Sequence, residues 1–384
     1  MTGRQKIQAA FSDGGTNEIP AVICYEDIYI RDHWKQLTSC PWWYRHETDL
    51  DRQVMWYGEV VPNIGQDWFF APRFATREER ADIAILVKAD GIYRHDGKTR
   101  KEFKLCEPQI GGGHIKPAGF SGINSIDDID KLVPSVSQAG ASEIFNDVRL
   151  KGGGDLAERL MKGVCRYKCP CGYVCSPLWA CAGIWGSYAE FFIKIIEAPE
   201  LVNYACEKYA GICGDRIHEA AALGAEVVWI EECYTDMISP DAYSKYCLPH
   251  VRRLTDTIRG AGMKSVYYFC GDISGKLDLI LSAGADAVSF EESKKNFRID
   301  IGELAEYIRG RCVIFGNLDA TSFLPNCSEE QLKHEIVRQI KAGRKNKGRF
   351  VMSTGSPVTP GTPVEKVRLY CDLVHELGSG INKI

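Results

Sequence analysis

Polar residues follow five successive predicted strands in the second half of the chain, and their side chains could do chemistry together. In chain order they are Glu231 and Glu232, Cys270 and Asp272, Glu291 and Glu292, Asn317 and Asp319, and then Ser353, Thr354 and Ser356. Carboxylates, a thiol, an amide and hydroxyls can bind a metal, orient a substrate or exchange protons. A single polar residue after a strand commonly caps the next helix, but five in succession predict one active-site face.

The elements that must position these residues alternate regularly from about Leu156 onward. Apolar runs at 225–232, 264–271, 286–293, 311–319 and 349–356 are each followed by a helical pattern. This alternation is typical of parallel βα units. We therefore predict an α/β fold, a (β/α)8 TIM barrel, with a doubly wound sheet as the alternative. In a barrel, all five strand ends lie at one mouth.

The first half of the chain is less regular. Segments 18–27, 68–74 and 173–181 are predicted strands, and 82–105 is predicted to be a β-hairpin inserted on the barrel. Its turn is placed at Asp96 and Gly97 in preference to Asp90 and Gly91. We expect one domain over 1–384, with N-terminal helical and hairpin elaborations.

Composition narrows the class of function. The net charge of −4 and the lack of a long basic run argue against nucleic acid as a partner. No apolar run approaches the roughly 18 residues of a membrane span, and the N-terminus has no apolar leader, so we predict a cytoplasmic protein. Sixteen cysteines are then expected to be thiols or metal ligands rather than disulfides.

Several motifs resemble a known family. "GAEVVWIEECYTDMISPDAYSKYC", "YYFCGDISGKLDLILSAGADAVSFEE", "VIFGNLDA" and "STGSPVTPGTPVEKVRLY" are similar, in order and spacing, to the uroporphyrinogen decarboxylase superfamily, and most of all to its corrinoid-dependent methyltransferase branch. The resemblance extends from about Leu156 to the C-terminus. It implies a (β/α)8 barrel with its pocket at the C-terminal mouth.

The same resemblance implies a zinc ion held by a His-x-Cys pair and a further cysteine. In this chain the first motif has Tyr268 in place of the histidine and keeps Cys270, and Ser356 stands at the second cysteine position. A protein zinc site needs at least three ligands, so carboxylates would have to complete the set. We predict Cys270 and Glu232 as metal ligands. The alternative is that Cys270 only packs and no metal is bound.

The predicted activity is methyl transfer between a small methylated substrate, a methyl ether or methylamine, and the cobalt of a corrinoid on a partner protein. The cofactors that the resemblance implies are the corrinoid, carried by the partner protein, and Zn²⁺. Glu232, Tyr268 and Asn317 are the predicted catalytic residues, with the first two activating the leaving heteroatom. The predicted substrate-binding residues are Asp27, Arg31, His33, Trp43, Glu292 and Ser356.

Two other functions stay open. One is a metal-independent decarboxylase of the uroporphyrinogen decarboxylase type that acts on a small acid. The other is a corrinoid-protein-binding module without catalysis, which the missing metal ligands suggest. Decarboxylation of the porphyrinogen itself is disfavoured, because Arg31 stands beside Asp27 and Asp32 and would be a poor clamp for a polyanion.

Two clusters carry alternative interpretations. The aromatic residues around Trp43 could form a wall for an aryl ether or a quaternary ammonium group, or could plug the barrel or form a homodimer interface. The five cysteines between Cys165 and Cys181 could bind zinc or an iron-sulfur cluster, but Cys175 and Cys181 are predicted to be core residues.

Overall fold

Eight parallel strands form a barrel at the centre of the molecule. The computed structural model describes residues 1–111, 122–137 and 139–380. Its strands, in chain order, are β1 Ala21–Val22, β2 Trp68–Phe70, β3 Ile83–Lys88, β4 Gly91–Asp96, β5 Lys101–Leu105, β6 Cys169–Cys175, β7 Val227–Glu232, β8 Lys264–Phe269, β9 Ala287–Phe290, β10 Val313–Phe315 and β11 Phe350–Ser353. The order around the barrel is β1-β11-β10-β9-β8-β7-β6-β2, and its ladders are parallel.

The barrel closes between β1 and β2 through Asp67. The main-chain nitrogen of Asp67 donates to the carbonyl oxygen of Ala21 at 2.8 Å. In return the amide of Ala21 donates to Asp67 Oδ2 at 2.8 Å. His375 Nε2 lies 2.7 Å from the same carboxylate oxygen, and Lys6 Nζ lies 3.8 Å from it. This seam makes the predicted (β/α)8 barrel complete.

Helices surround the strands. They are α1 Gly3–Phe11, α2 Glu26–Asp32, α3 Trp34–Leu37, α4 Leu50–Ile64, α5 Arg77–Asp82, α6 Ile126–Leu132, α7 Ala141–Leu150, α8 Asp155–Lys162, α9 Pro177–Ala182, α10 Tyr188–Glu197, α11 Pro199–Ala222, α12 Pro240–Tyr246, α13 Leu248–Gly260, α14 Leu277–Leu281, α15 Ile301–Ile308, α16 Phe323–Asn326, α17 Glu329–Arg344 and α18 Val364–Gly380, with 3-10 turns at Trp42–His46 and Thr235–Met237. Within the described ranges, none of these helices has the length and apolarity to cross a bilayer.

Large side chains fill the barrel interior. Trp68, Trp229, Tyr268 and Phe315 are nearly fully buried in one cluster. Phe11 of α1 belongs to the same cluster, and its ring centroid lies 6.3 Å from that of Phe315. The barrel is therefore a packed core rather than a pore, and α1 covers the end opposite to the C-terminal strand ends.

The five late strands are confirmed, but two earlier predictions are corrected. The strand predicted at 173–181 is present but lies earlier, as β6 Cys169–Cys175. Residues after it form α9, because Ser176 Oγ accepts a hydrogen bond from the amide of Trp179 and Pro177 suits a first helical position. Segment 82–105 is a three-stranded antiparallel sheet rather than one hairpin, because the chain turns both near Asp90 and after Asp96.

Candidate functional site

Glu231 lies at the centre of a hydrogen-bond network at the C-terminal mouth of the barrel. Tyr25, just after β1, donates its hydroxyl proton to Glu231 Oε1 at 2.6 Å. Tyr173 of β6 donates to the other carboxylate oxygen. Burial raises the pKa of both phenols well above the usual value. Two protonated phenols therefore face one carboxylate.

Three thiols adjoin this network: Cys175 of β6, whose Sγ lies 3.9 Å from Glu231 Oε2, and a close pair. Cys233 follows β7 and Cys270 follows β8, and their sulfur atoms lie 2.9 Å apart. The hydroxyl of Tyr25 lies 3.7 Å from Cys233 Sγ and 3.6 Å from Cys270 Sγ. Cys233 Sγ also lies 3.5 Å from Glu231 Oε1. A carboxylate, a phenol and two thiols thus share one small volume.

Strained backbone supports the network. Tyr25 has φ 54° and Tyr234, next to Cys233, has φ 65°, and both are left-handed conformations that non-glycine residues seldom adopt. Such conformations cost about 1–3 kcal/mol each and cluster at functional sites. Two of the five non-glycine residues with such a backbone in the described ranges therefore lie in or next to the network, which stands where barrels of this class carry their functional site.

A second polar group lies beside the first. Glu291 accepts hydrogen bonds from the amide of Gly271 at 3.0 Å and from Ser356 Oγ at 3.4 Å. Burial raises the pKa of Glu291. Lys294 donates to Ser356 Oγ at 3.1 Å and also bonds Glu292. The predicted substrate residues Glu292 and Ser356 are therefore brought together by Lys294, which sequence reasoning missed.

Glu232 lies on the opposite face of β7 from Glu231. Its Oε2 atom is 2.8 Å from Cys247 Sγ and 3.1 Å from the hydroxyl of Tyr267, between the strand and the surrounding helices. Burial raises the pKa of Glu232 to about 7. The prediction that Glu232 joins Cys270 at a metal is corrected, because successive strand residues point to opposite faces.

The side chains of the other two predicted catalytic residues, Tyr268 and Asn317, donate hydrogen bonds to main-chain carbonyl oxygens. The Tyr268 hydroxyl donates to the carbonyl oxygen of Gly355 at 2.7 Å and is fully buried. Asn317 Nδ2 donates to the carbonyl oxygens of Glu291 and Ile299, each at 3.0 Å. These contacts make both residues supports of the loops around the mouth.

The predicted substrate-binding residues of the N-terminal segment do not lie in one place. Arg31 and His33 line a cavity of about 190 Å³, together with Trp42 rather than its neighbour Trp43. His33 Nε2 lies 2.9 Å from the carbonyl oxygen of Thr362, so its ring also ties two segments together. The side chain of Asp27 is 80% exposed and pairs with Arg45.

The cysteine cluster at 165–181 does not converge on one point. Cys169, Cys171 and Cys181 are fully buried, which agrees with the core interpretation for Cys181. Cys175 is half-buried and lies 3.2 Å from the hydroxyl of Tyr173, at the mouth, so its prediction as a core residue is wrong. Over the described ranges, no group of three or more His, Cys, Asp or Glu is placed to hold a metal ion.

Sequence reasoning missed Tyr25, Tyr173 and Cys233 as site residues. One signal for Cys233 was present: it is the first residue after β7, as Cys270 is the first residue after β8. For Tyr25 the sequence offers no periodicity, since β1 is only two residues long.

Comparison with known proteins decides the family. Residues 122–377, about two thirds of the chain, match the family described as Uroporphyrinogen decarboxylase (URO-D). The chain belongs to the uroporphyrinogen decarboxylase family. Two relatives named uroporphyrinogen decarboxylase are 29% identical over 184 residues, from Carboxydothermus hydrogenoformans, and 24% identical over 173 residues, from Thermus thermophilus. These matches cover 48% and 45% of this chain and 50% and 48% of the relatives, so the chain spans about half the length of each.

A solved structure of this family's fold extends the likeness to the whole chain. A methyltransferase from Methanosarcina mazei superposes with a TM-score of 0.66 and covers 98% of this chain and 99% of its own. Its sequence identity is 16%, so the likeness shows the fold. The likeness therefore includes β1 and β2, the two barrel strands that lie outside the matched family region.

Proposed function

We propose that this protein is a methyltransferase that moves a methyl group between a small methylated substrate, of the methyl ether or methylamine type, and the cobalt of a corrinoid on a partner protein. The observation that carries the proposal is the Tyr25–Glu231–Tyr173 network beside Cys233 and Cys270. Methyl transfer needs a positioned methyl carbon and a proton for the departing heteroatom. Phenols bonded to a carboxylate supply such a proton.

The roles follow from the contacts. When the bond between the methyl carbon and its heteroatom breaks, Tyr25 gives its proton to the heteroatom. Glu231 holds the Tyr25 hydroxyl in position, Tyr173 keeps its hydrogen bond to the other carboxylate oxygen, and the phenolate left on Tyr25 recovers a proton from solvent. The raised pKa of Tyr25 keeps the phenol protonated at neutral pH before the reaction. Glu291, Ser356 and Lys294 orient the substrate from the other side.

A corrinoid would supply the cobalt that gives or takes the methyl group. The exposed rim next to Cys233 suits a planar macrocycle, because the rings of Tyr188 and Tyr234 stack with centroids 4.3 Å apart and Trp179 lies beside them. Tyr188 and Tyr234 are 36% and 40% exposed. Zinc fits less well, since Glu232 faces away and no group of three or more His, Cys, Asp or Glu in the described ranges is arranged so that it could hold a metal ion.

Decarboxylation is the second candidate, because the relatives quoted above are named uroporphyrinogen decarboxylase. The charges at the mouth argue against a polycarboxylate substrate. Glu231 and Glu291 lie there, and Lys294 is already bonded to Glu292 and Ser356. A substrate with several carboxylates would be repelled unless cations paired with it.

The deciding experiment supplies the purified chain with cob(I)alamin and a panel of methyl ethers and methylamines. We expect methylcobalamin, measured by its absorbance spectrum, with one member of the panel. Release of carbon dioxide from small acids, without cobalt methylation, would establish the decarboxylase instead. A chain that is inert in both assays and binds a corrinoid protein would be a non-catalytic module.

A further inference from the structure

Cys233 and Cys270 occupy matching positions on neighbouring strands. Glu232 and Phe269 are the last paired residues of β7 and β8, and the amide of Cys270 donates to the carbonyl oxygen of Glu232 at 2.9 Å. Cys233 and Cys270, the next residue of each strand, therefore lie side by side. Neighbouring strands lie about 4.8 Å apart, within the range of about 4.4–6.8 Å that Cα atoms of a disulfide span.

The loops after the two cysteines fix this arrangement. Tyr234 turns the chain away with φ 65°, and Gly271 does the same with φ 90°. A Cβ atom on Gly271 would lie 2.3 Å from the side chain of Asp236, so a larger residue would not fit at this position without displacing Asp236. The thiols consequently face each other because of the backbone, and a bond between them needs little movement.

Exposure distinguishes this pair from another close pair of thiols. Cys181 and Cys206 lie 3.5 Å apart between α9 and α11, but both are fully buried. Cys233 and Cys270 are half-buried and lie at the mouth. A small oxidant can therefore reach the second pair, and the first pair serves as a matched control.

Side chains next to the two thiols can accept and donate the protons that thiol–disulfide exchange moves. The hydroxyl of Tyr25 lies 3.6 Å from Cys270 Sγ and can exchange a proton with that thiol. Glu231 Oε1 lies 3.5 Å from Cys233 Sγ and can accept the proton of this second thiol when Cys233 reacts. Attack and resolution thus have different residues to carry them out.

We propose that Cys233 and Cys270 form a redox-active dithiol that exchanges with a low-molecular-weight disulfide. The sulfur of Cys270 attacks one sulfur of the small disulfide, forms a mixed disulfide and releases one small thiol. Cys233 then attacks the sulfur of Cys270, its proton passes by way of Glu231 to the departing sulfur, and the second small thiol leaves as the protein disulfide forms. Two electrons and two protons go from the dithiol to the two small thiols.

The closed disulfide would remove both thiols from the mouth and would restrain the loops after β7 and β8. This chemistry does not depend on which reaction the site catalyses. Its test can therefore succeed even when methyl transfer is not found, and its failure leaves the proposed function intact.

The experiment treats the reduced full-length protein with oxidised glutathione and maps the products by mass spectrometry. Trypsin cleaves after Arg216, Lys245, Lys264 and Lys276, so peptides 217–245 and 265–276 each contain one cysteine. We expect these two peptides to be joined with the loss of two hydrogen atoms and without glutathione. Dithiothreitol should restore both.

Two variants sharpen the result. Cys233→Ser should retain glutathione on Cys270, because the resolving thiol is missing. Cys181→Ser should form the joined peptides as the wild type does, because that pair is buried. The proposal is overturned if wild-type Cys270 keeps glutathione without joining to Cys233, or if both thiols stay reduced. It is also overturned if a stoichiometric metal ion, measured by elemental analysis, protects them.

Discussion

Tyr25 and Glu231 stand 206 positions apart in the chain, and their 2.6 Å hydrogen bond crosses the mouth of the barrel. β1 and β7 are not neighbours in the sheet, so no ladder brings these residues together. The left-handed conformation of Tyr25 aims its ring over the interior, edge-on to Trp229 at 5.0 Å and to Tyr268 at 5.6 Å. The contact therefore depends on closure of the whole barrel.

Substitution of Glu231 and of Glu232, one at a time, should show which of these adjacent glutamates takes part in the reaction. Glu231→Gln removes the charge that both phenols contact, and we expect kcat/KM for methyl transfer to fall by at least ~100-fold. Glu232→Gln changes a group on the other face of β7 and should keep most of the activity. Steady-state kinetics of the two variants would check this, and the reverse order of effects would return Glu232 to the catalytic role predicted for it.

Removal of the Tyr25 hydroxyl should affect activity far more than stability. Tyr25→Phe keeps the ring contacts and loses the proton donor, so kcat should drop by roughly 10- to 100-fold with little change in KM. Tyr29→Phe is the control, because the Tyr29 hydroxyl is buried and has no hydrogen-bond partner among the described residues. That control should keep full activity and lose no stability. Equal losses in both variants would contradict the assignment.

Buried glutamates should make the protein less stable as pH rises. Burial raises the pKa of Glu232 and of Glu26 to about 7 from a usual value of 4.5. A raised folded pKa gives stability that is complete below about pH 4.5 and is lost as pH rises through about 7. We expect Glu232→Gln to flatten this part of the pH profile, measured by urea unfolding between about pH 5 and pH 8. Glu330→Gln on the surface should leave the profile as it is, and an unchanged slope in Glu232→Gln would refute the prediction.

The seam between β1 and β2 should depend on the Asp67 carboxylate. Although burial raises the pKa of Asp67, the hydrogen bond and charge of His375 and the charge of Lys6 outweigh it, so the net pKa is lowered. Its contribution is therefore present above the unfolded pKa and is lost as pH falls through the folded pKa.

Asp67→Ala should lower the free energy of unfolding by about 2–4 kcal/mol, because it leaves the amide of Ala21 and the cation of Lys6 without this partner. Denaturant titration near neutral pH would measure the loss. Asp13→Ala, at a fully exposed carboxylate 4.0 Å from Arg349, is the control and should change stability by less than about 0.5 kcal/mol. A loss in Asp67→Ala no larger than in the control would show that the seam does not rely on this carboxylate.

The late strands could be predicted because each has a clear apolar run and a following helix. The sequence could not show whether Glu231 or Glu232 points into the barrel. The two residues are adjacent, and adjacent residues of a strand point to opposite faces of the sheet. The pairing with Tyr268 is what identifies Glu231 as the inward residue. The sequence therefore predicted the fold more fully than it predicted the site residues.

The N-terminal part of the site was hardest to predict. β1 has two residues and β2 has three, too few for a periodic signal. Tyr25 lies in a strained turn that no local rule forecasts, because only the completed barrel compensates for its cost. The sequence pointed instead to Asp27, a charged residue that the structure places on the outside.

The region that matches the family contains six of the eight barrel strands, β6 to β11, and omits β1 and β2. A fragment cut at residue 122 would leave the outer sides of β6 and β11 with unpaired main-chain groups. Such open sheet edges invite pairing with other chains and aggregation. Fragments for expression, and chimaeras between relatives, should accordingly keep the first 70 residues, which seal both edges and carry Tyr25.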